Sequence, residues 1–425
     1  MRGIAVPYVV DGALNRGMGG DQSNMRQRFP AIGLTACALL ALASTALAQE
    51  DDAAADTDLG ASRVRTQLTG AAYFSDNFYN RPTNESSGYG TLLRPEAEFL
   101  KEGAKLRLEA ELEAEYGMFS LPGSDDDYLD GAARLKLASQ ATLRNQLRLE
   151  GQFKHGHDAF GVDRTEDASA RDADLDRWNR TTGALHYRYG APGAQLNAEV
   201  GIATLEKRYV TNDAATEPLN YDSTDVIYTV FYNYSSKTAA LIDFSRTDFS
   251  FDRPFGAVDI RGGELYRLRA GIKWLATGKT SGDVRAGYRR RLFDAGTADI
   301  EGVDWEAGVD WTPVPRSTLR LATARSEQES YTADARVIDI ESISLDWKHN
   351  LTSRTRSTVG LEHLKADYDS SGRSDKILSA AVGLEHRLQS HLWAVGTIGM
   401  TQRDSSLALR EYDRLNAFLG LRLGR

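Results

Sequence analysis

Hydrophobic and polar residues alternate along most of this chain, and the alternation has a period of two. In the last segment, YDRLNAFLGLRLGR (residues 412–425), Leu415 and Leu419 fall on one side while Arg414 and Asn416 fall on the other. This period predicts a β-strand with one apolar face and one polar face. The segment KLRLEAELEAEY has the composition of a helix, but its period is also two and therefore predicts a strand.

The same pattern recurs in eighteen segments separated by turn-forming residues. The predicted strands span residues 63–75, 88–100, 104–117, 127–139, 144–156, 177–190, 194–208, 223–235, 238–250, 262–276, 282–293, 303–312, 317–327, 337–348, 354–366, 375–388, 391–403 and 412–425. Connections after even-numbered strands are tight, whereas most of those after odd-numbered strands are longer and polar. This alternation is typical of outer-membrane barrels, and an even strand number closes the ring without an edge. We therefore predict an all-β fold, an outer-membrane antiparallel β-barrel of about eighteen strands with short periplasmic turns and longer external loops.

The N-terminal region does not follow the strand pattern. Residues 25–48 combine a basic start, an apolar stretch and the small-x-small sequence ALA, which predicts a cleaved signal peptide and a mature chain starting at Gln49. A lipoprotein signal ending at Cys37 is the alternative, although too much apolar chain follows that residue. We interpret residues 1–24 as an upstream extension, 49–62 as a flexible acidic lead-in and 63–425 as the transmembrane barrel.

Composition narrows the possible functions. The chain has 51 basic and 60 acidic residues and a net charge of −9, which argues against a nucleic-acid-binding protein. Cys37, the single cysteine, lies within the predicted signal peptide, so no disulfide is expected in the mature protein. No later run is apolar enough for a transmembrane helix, which leaves a closed barrel as the fold that satisfies the backbone in lipid. We find no catalytic constellation, and expect neither enzymatic activity nor a cofactor or metal site. The sequence HGHD at His155 is interpreted as a solvated loop.

Aromatic residues recur on the apolar face near the tight turns. Placed at one height, they would form the periplasmic aromatic girdle of a membrane barrel. The predicted girdle residues are Phe99, Tyr189, Tyr234, Trp274, Trp311 and Trp347.

The polar face predicts a wide aqueous lumen, because eighteen strands are enough to leave a channel. We expect inward residues to be polar throughout. One inward cluster is an acidic ladder, Glu109, Glu111, Glu113 and Glu115, with Arg134, Lys136 and Arg148 on the next strands. A cross-strand salt-bridge lattice is the favoured interpretation, and a cation site is the alternative.

A second inward cluster is basic. Folding the tenth and eleventh strands about Lys279 places Lys273 opposite Arg285, Arg269 opposite Arg289, and Arg267 opposite Arg291. Like charges opposed across a ladder are destabilising, so this strip suggests an anionic solute or polymer. The alternative is neutralisation by flanking carboxylates, namely Asp243, Glu306 and Asp310. The longest connection, residues 157–176, either folds into the lumen as a constriction or forms a mobile acidic surface loop.

Several short motifs are similar to those of a known family. They are YFSDNFYN (73–80), LLRPEAEF (92–99), GVDWEAGVDWTPVPRSTLRL (302–321) and the terminal YDRLNAFLGLRL. In these the chain resembles the EpsL-type β-barrel porins encoded in exopolysaccharide loci. The resemblance implies an outer-membrane component of polysaccharide secretion that works with periplasmic export proteins. From the residues themselves, a polymer-export pore, a general diffusion porin and a non-conducting surface-binding barrel all remain open.

Overall fold

The computed structural model describes residues 61–120, 127–166, 175–191, 193–255, 260–277 and 279–424. The strands are β1 Ala61–Ser75, β2 Gly88–Glu102, β3 Leu106–Ser120, β4 Tyr128–Gln140, β5 Asn145–His157, β6 Arg177–Tyr189, β7 Leu196–Tyr209, β8 Tyr221–Ser235, β9 Thr238–Phe251, β10 Gly263–Thr277, β11 Thr280–Phe293, β12 Ile300–Val314, β13 Ser317–Glu329, β14 Val337–Asn350, β15 Thr355–Tyr368, β16 Ser374–Gln389, β17 Leu392–Ser405 and β18 Tyr412–Gly424. One helical turn, α1 Asp213–Thr216, and the 3-10 turns Asp163–Glu166, Glu217–Leu219 and Ala408–Arg410 lie in the connections. In the described ranges, no helix has the length and apolar character needed to cross a membrane.

The strands form one closed antiparallel barrel. Each strand pairs with the next along the chain, and β18 pairs with β1 to close the ring, with Leu419 opposite Ala72. The predicted fold, the strand number and the approximate bounds are confirmed. The upstream extension, the signal peptide and most of the acidic lead-in lie outside the described residues. Below, "turn end" denotes the end with the tight turns and both ends of the barrel chain, and "loop end" denotes the opposite end.

The two faces of the strands have the predicted environments. On β18, Leu415, Leu419 and Leu421 are 42%, 71% and 51% exposed on the outside, whereas Arg414 and Asn416 are buried on the inside. In an outer-membrane barrel the outward apolar band contacts lipid. The outward leucines of β18 therefore form part of the lipid-facing surface.

The inward face is not polar throughout, and that expectation is wrong near the loop end. Tyr73, Leu92, Val395 and Phe418 form a buried inward cluster shared by β1, β2, β17 and β18. Ile338, Ile340, Leu364 and Ile377 form a second one on β14, β15 and β16. Loop residues pack onto both clusters, which explains why apolar side chains face the interior of a membrane barrel.

The register of the β10–β11 hairpin differs from the predicted one by two residues. Arg267 is opposite Arg289, whereas Arg269 and Arg285 are opposite Gly287 and Gly271, and Lys273 is opposite Asp283. The pairing shifts between Trp274 and Thr277, where β10 contains an extra residue relative to β11. A bulge of this kind breaks the symmetric folding about Lys279 on which the predicted pairs depended.

We expect the Leu419→Arg variant to assemble poorly. Leu419 lies in the middle of β18 on the outward face, where an Arg at the bilayer midplane costs roughly 2–4 kcal/mol. Gln67→Arg on the neighbouring strand β1 is the matched control, because Gln67 lines the lumen. Asn416 is a poor control because it is only 4% exposed. Heat-modifiable electrophoretic mobility reports the folded fraction, and equal fractions for the two variants would refute the assignment of faces.

Candidate functional site in the barrel lumen

The barrel encloses a cavity of about 2380 Å³ to which all eighteen strands contribute side chains. Basic and acidic side chains line it in nearly equal numbers. The wall therefore resembles a lattice of alternating charges more than a surface of one sign.

Exposure of the inward side chains changes along the barrel axis. In β10 and β11, Lys273 near the turn end is exposed, whereas Arg289 and Arg291 near the loop end are 1% and 0% exposed. The same trend holds in β14, where Lys348 is exposed and Ile338 is buried. The lumen is thus open toward the turn end and filled with packed side chains toward the loop end.

Loop residues provide the packing at the loop end. Phe160, from the loop after β5, contacts Phe78 and Tyr79 from the loop after β1. Tyr331, from the loop after β13, packs against the inward cluster on β14–β16 and also against the cluster that contains Trp178. Segments from different sides of the barrel therefore meet across the lumen, and we call them the loop layer.

A buried polar contact of the loop layer involves Glu166, which follows β5. Its carboxylate accepts hydrogen bonds from Arg373 at 3.0 Å and from the Tyr331 hydroxyl at 3.2 Å. It also forms an ion pair with Arg403 on β17. Glu166, Arg373 and Arg403 are all no more than 6% exposed. Because β5 and β16–β17 lie on different walls, we call this set of contacts, completed by Asp375, the Glu166 clamp.

The positive charge of the clamp is held in place by a second carboxylate. Arg373, just before β16, pairs with Asp375 at 2.7 Å. Burial by itself would lower the pKa of the Arg373 guanidinium, but its hydrogen bond to Asp375 and the nearby Tyr331, Tyr368 and Glu166 raise it above the ordinary value. Arg373 consequently remains protonated at any physiological pH.

The described part of the loop after β5 is anchored at further points. Arg164 in the 3-10 turn pairs with Asp176 at 2.5 Å, which ties this turn to the residue just before β6. The side-chain amide of Asn80 donates to the Phe160 carbonyl at 2.8 Å, and Arg414 on β18 donates to Asn80 at 2.9 Å. Of the two predictions for residues 157–176, these contacts favour the constriction within the lumen.

The six residues of the predicted basic strip do not form a continuous surface open to a solute. Five are in ion pairs: Arg267 with Asp304 (3.2 Å), Arg269 with Asp243 (2.9 Å), Arg285 with Asp283 (2.8 Å), Arg289 with Asp339 (2.7 Å) and Arg291 with Glu329 (3.2 Å). Arg289 and Arg291 are buried, so the prediction that they face an open lumen is wrong for the loop-end half of the hairpin. Lys273 is exposed and makes no ion pair with the part of the chain that the structure describes.

Flanking carboxylates neutralise the hairpin, as the alternative interpretation held. Asp243 and Glu306 lie 2.9 and 3.6 Å from Arg269. Asp310 pairs instead with Arg320 on β13, at 3.1 Å. The hairpin arginines are therefore better understood as part of the wall.

The acidic ladder on β3 also lies within a network of ion pairs. Its partners are Arg107 for Glu109, Arg134 for both Glu111 and Glu113, and Arg94 for Glu115. Lys136 is opposite Glu109, whereas Arg148 pairs with Glu150 at 3.0 Å. These contacts favour a structural role for the ladder.

Four of the six predicted girdle residues are exposed aromatic side chains close to the tight turns. Tyr189, Tyr234, Trp311 and Trp347 are 51%, 83%, 47% and 36% exposed. Trp311 and Trp347 are both opposite Leu319 of β13 and therefore lie in one cross-strand row. A common height for all six, including Phe99 and Trp274, remains a prediction.

The HGHD segment is not a solvated loop, as predicted: His155 and His157 lie on β5, and His157 and Asp158 are 6% and 2% exposed. His155 contacts the Asn179 side chain at 2.6 Å, and Asp158 accepts a hydrogen bond from the Trp178 indole at 2.9 Å. Within the described ranges, no group of three or more His, Cys, Asp or Glu side chains is arranged to hold a metal ion.

The Glu166 clamp was not predicted from the sequence. The only sequence signal was the unusual length of the loop that carries Glu166. Arg373 and Arg403 lie more than two hundred positions later and have no distinguishing motif.

The chain is similar to one protein family and to several solved structures. The family described as "Putative beta-barrel porin 2" matches residues 54–425. Among solved structures, an anion-selective porin from Comamonas acidovorans is 12% identical, with a TM-score of 0.40, over 86% of this chain and 99% of that chain. The outer membrane protein opdK from Pseudomonas aeruginosa is 11% identical, with a TM-score of 0.43, over 85% of this chain and 99% of that chain.

A third solved structure is the FrpB iron transporter from Neisseria meningitidis, which is 8% identical. Its TM-score is 0.44, over 87% of this chain and 81% of that chain. No curated protein sequence matches the chain. Because the family match covers the whole barrel, the chain belongs to this family of β-barrel porins.

Proposed function

We propose that this protein is a pore of the bacterial outer membrane and the outer-membrane component of exopolysaccharide secretion. The observation that carries the pore proposal is the cavity of about 2380 Å³, lined by charged and polar side chains from every strand. A lumen of this kind can hold water and hydrophilic solutes, whereas a packed apolar interior could not.

The secretion role is supported by the resemblance of the motifs at residues 73–80, 92–99 and 302–321 to the EpsL-type porins. In this role the protein receives polymer from periplasmic export proteins at the turn end and releases it at the loop end. Cleavage before Gln49 would precede insertion of the barrel into the outer-membrane lipid.

A second candidate function is diffusion of small solutes, and the loop layer favours it. The Glu166 clamp and the aromatic contacts narrow the lumen near the loop end. A polymer needs this layer to move aside during transport, whereas a small solute needs only gaps between side chains. Polymer export therefore predicts a movable layer, and solute diffusion is compatible with a fixed one.

Deletion of the gene in its native host separates these functions. Secreted polysaccharide should fall sharply, and the wild-type gene should restore it while the Leu419→Arg variant should not. Cell-associated polysaccharide should rise at the same time, because synthesis continues behind a missing outer-membrane step. Unchanged secretion together with slower uptake of small hydrophilic solutes would reject the export role in favour of the diffusion porin.

A further inference from the structure

The charges of the connections differ between the two ends of the barrel. The eight tight turns contain six basic residues and no acidic one: Lys105, Arg144, Lys237, Lys279, Arg316 and Arg354. At the loop end, the connection after β5 alone contains seven acidic residues and two basic ones. The turn end is therefore a basic rim on a protein whose net charge is −9.

Part of this rim reaches into the lumen. Four basic side chains from β13–β16 and their turns line the cavity: Arg316, Lys348, Arg354 and Arg387. We call them the basic mouth. The Arg387 amide donates to the Arg354 carbonyl at 2.8 Å, so these two arginines are direct cross-strand neighbours. The Asn350 amide donates to the Arg316 carbonyl at 2.8 Å and places Arg316 on the adjoining hairpin.

The basic mouth differs from the arginines deeper in the lumen. Arg316, Arg354 and Arg387 are exposed and make no side-chain ion pair with any described residue, whereas Arg289 and Arg291 are buried in ion pairs. Opposed like charges such as Arg354 and Arg387 destabilise a sheet. Arg354 and Arg387 therefore repel each other and leave their guanidinium groups open to the lumen. Binding of an external anion would relieve this repulsion.

The carboxylates near the basic mouth already have basic neighbours. Glu385 is bound by Arg422 at 2.9 Å and lies 3.6 Å from Arg356. Asp310 pairs with Arg320, and Asp346 lies beside Lys348 on β14. Basic side chains at the basic mouth therefore outnumber the nearby acidic ones, and the enclosing barrel wall concentrates the resulting field.

We propose that the basic mouth binds the carboxylate groups of an acidic polysaccharide as the polymer enters the lumen from the periplasm. This inference rests on the proposed secretion function and specifies its cargo. Each guanidinium can hold one carboxylate through charge-assisted hydrogen bonds. Successive sugars present further carboxylates from the same chain, so weak individual contacts add up without trapping the polymer.

The test is calorimetric titration of the detergent-solubilised full chain with a long oligogalacturonate. The wild type should bind the oligomer, bind galacturonic acid far more weakly, and show no binding of neutral dextran. Arg354→Glu/Arg387→Glu should weaken oligomer binding by about tenfold or more, because charge-assisted contacts are replaced by repulsion. Added salt should weaken wild-type binding as well, since exposed charges are screened.

Lys105→Glu/Arg144→Glu is the matched control. It makes the same change of charge on two other turns, whose basic side chains are not part of the cavity lining, and should bind oligogalacturonate like the wild type. If the glutamate variant fails to fold, Arg354→Gln/Arg387→Gln replaces it, with the same direction expected. Equal binding by the mouth and control variants, equal affinity for the monomer and the oligomer, or no binding by the wild type would overturn the proposal. If the binding experiment fails but gene deletion still lowers secreted polysaccharide, only the proposed cargo is rejected. If gene deletion leaves secretion unchanged, the proposed secretion function is rejected.

Discussion

A chain that lacks residues 162–173 should conduct several times more current per open channel than the wild type. The deletion removes Glu166 and therefore the ion pairs that hold the loop after β5 against Arg373 and Arg403. It also relaxes the contacts of Phe160 with the loop after β1, because their anchoring segment is shortened. With the loop layer released, the polar lumen below it extends to the loop end. Single-channel recording in planar bilayers measures this change.

Two point variants can be compared in the same conductance measurement. Glu166→Ala should raise conductance in the same direction but less, because Arg164, Asn80 and Phe160 still anchor the segment. Glu113→Ala is the control: it removes a lumen glutamate whose partner Arg134 lies on the wall, away from the loop layer. If all of these chains conduct like the wild type, the loop after β5 does not limit the current.

Replacing Arg289 with Met should destabilise the folded barrel by about 3–5 kcal/mol, because it leaves a buried carboxylate without its partner. Arg289 and Glu327 are each 1% exposed and lie 3.0 Å apart. Asp339, the other partner of Arg289, keeps Arg325 at 2.6 Å, so the loss originates mainly at Glu327. Equilibrium urea unfolding in lipid vesicles gives the free energy of unfolding.

Lys273→Met on the same hairpin is the appropriate comparison. Lys273 is exposed and has no ion pair among the described residues, so the free energy of unfolding should change by no more than about 0.5 kcal/mol. If both variants lose a similar free energy of unfolding, the basic residues of the hairpin stabilise the barrel through overall charge and not through their buried partners.

The fold was readable from the sequence because each strand repeats its own signal. Every second side chain faces lipid, so the apolar positions of β18, such as Leu415 and Leu419, identify its outer face without knowledge of any neighbour. Tight turns then fix which strands are adjacent. Pattern and turn length together were sufficient for the strand number and the closure of the barrel.

The details of the lumen depended on information that a single strand does not contain. The register of β10 and β11 differs from the predicted one by two residues: the extra residue after Trp274 accounts for one, and the turn, in which Thr277 is opposite Thr280, accounts for the other. The period of a strand does not reveal single inserted residues. Whether Arg289 is free or buried is decided by Glu327 and Asp339, which lie two and three strands away. Arginines that looked like an exposed strip in the sequence are therefore wall residues in the structure.

The loop layer was the least predictable part. Glu166 meets Arg373 and Arg403 only because the barrel closes and brings distant walls within reach of one loop. Unlike strands, loops have no repeating pattern of apolar and polar residues that would indicate which side chains point into the lumen. The apolar inward positions Val395 and Phe418 could have served as a signal, since apolar residues facing a polar lumen need a covering segment.

Single-channel recording of the purified, folded full chain and of the chain lacking residues 162–173 tests the pore most directly. Heat-modifiable mobility before reconstitution establishes that both barrels are folded. Both chains should show discrete current steps, larger in the shortened chain, carried through the polar cavity of about 2380 Å³. Folded barrels that insert into the bilayer but pass no current, even without the loop segment, would contradict a pore and leave a surface-binding barrel as the function.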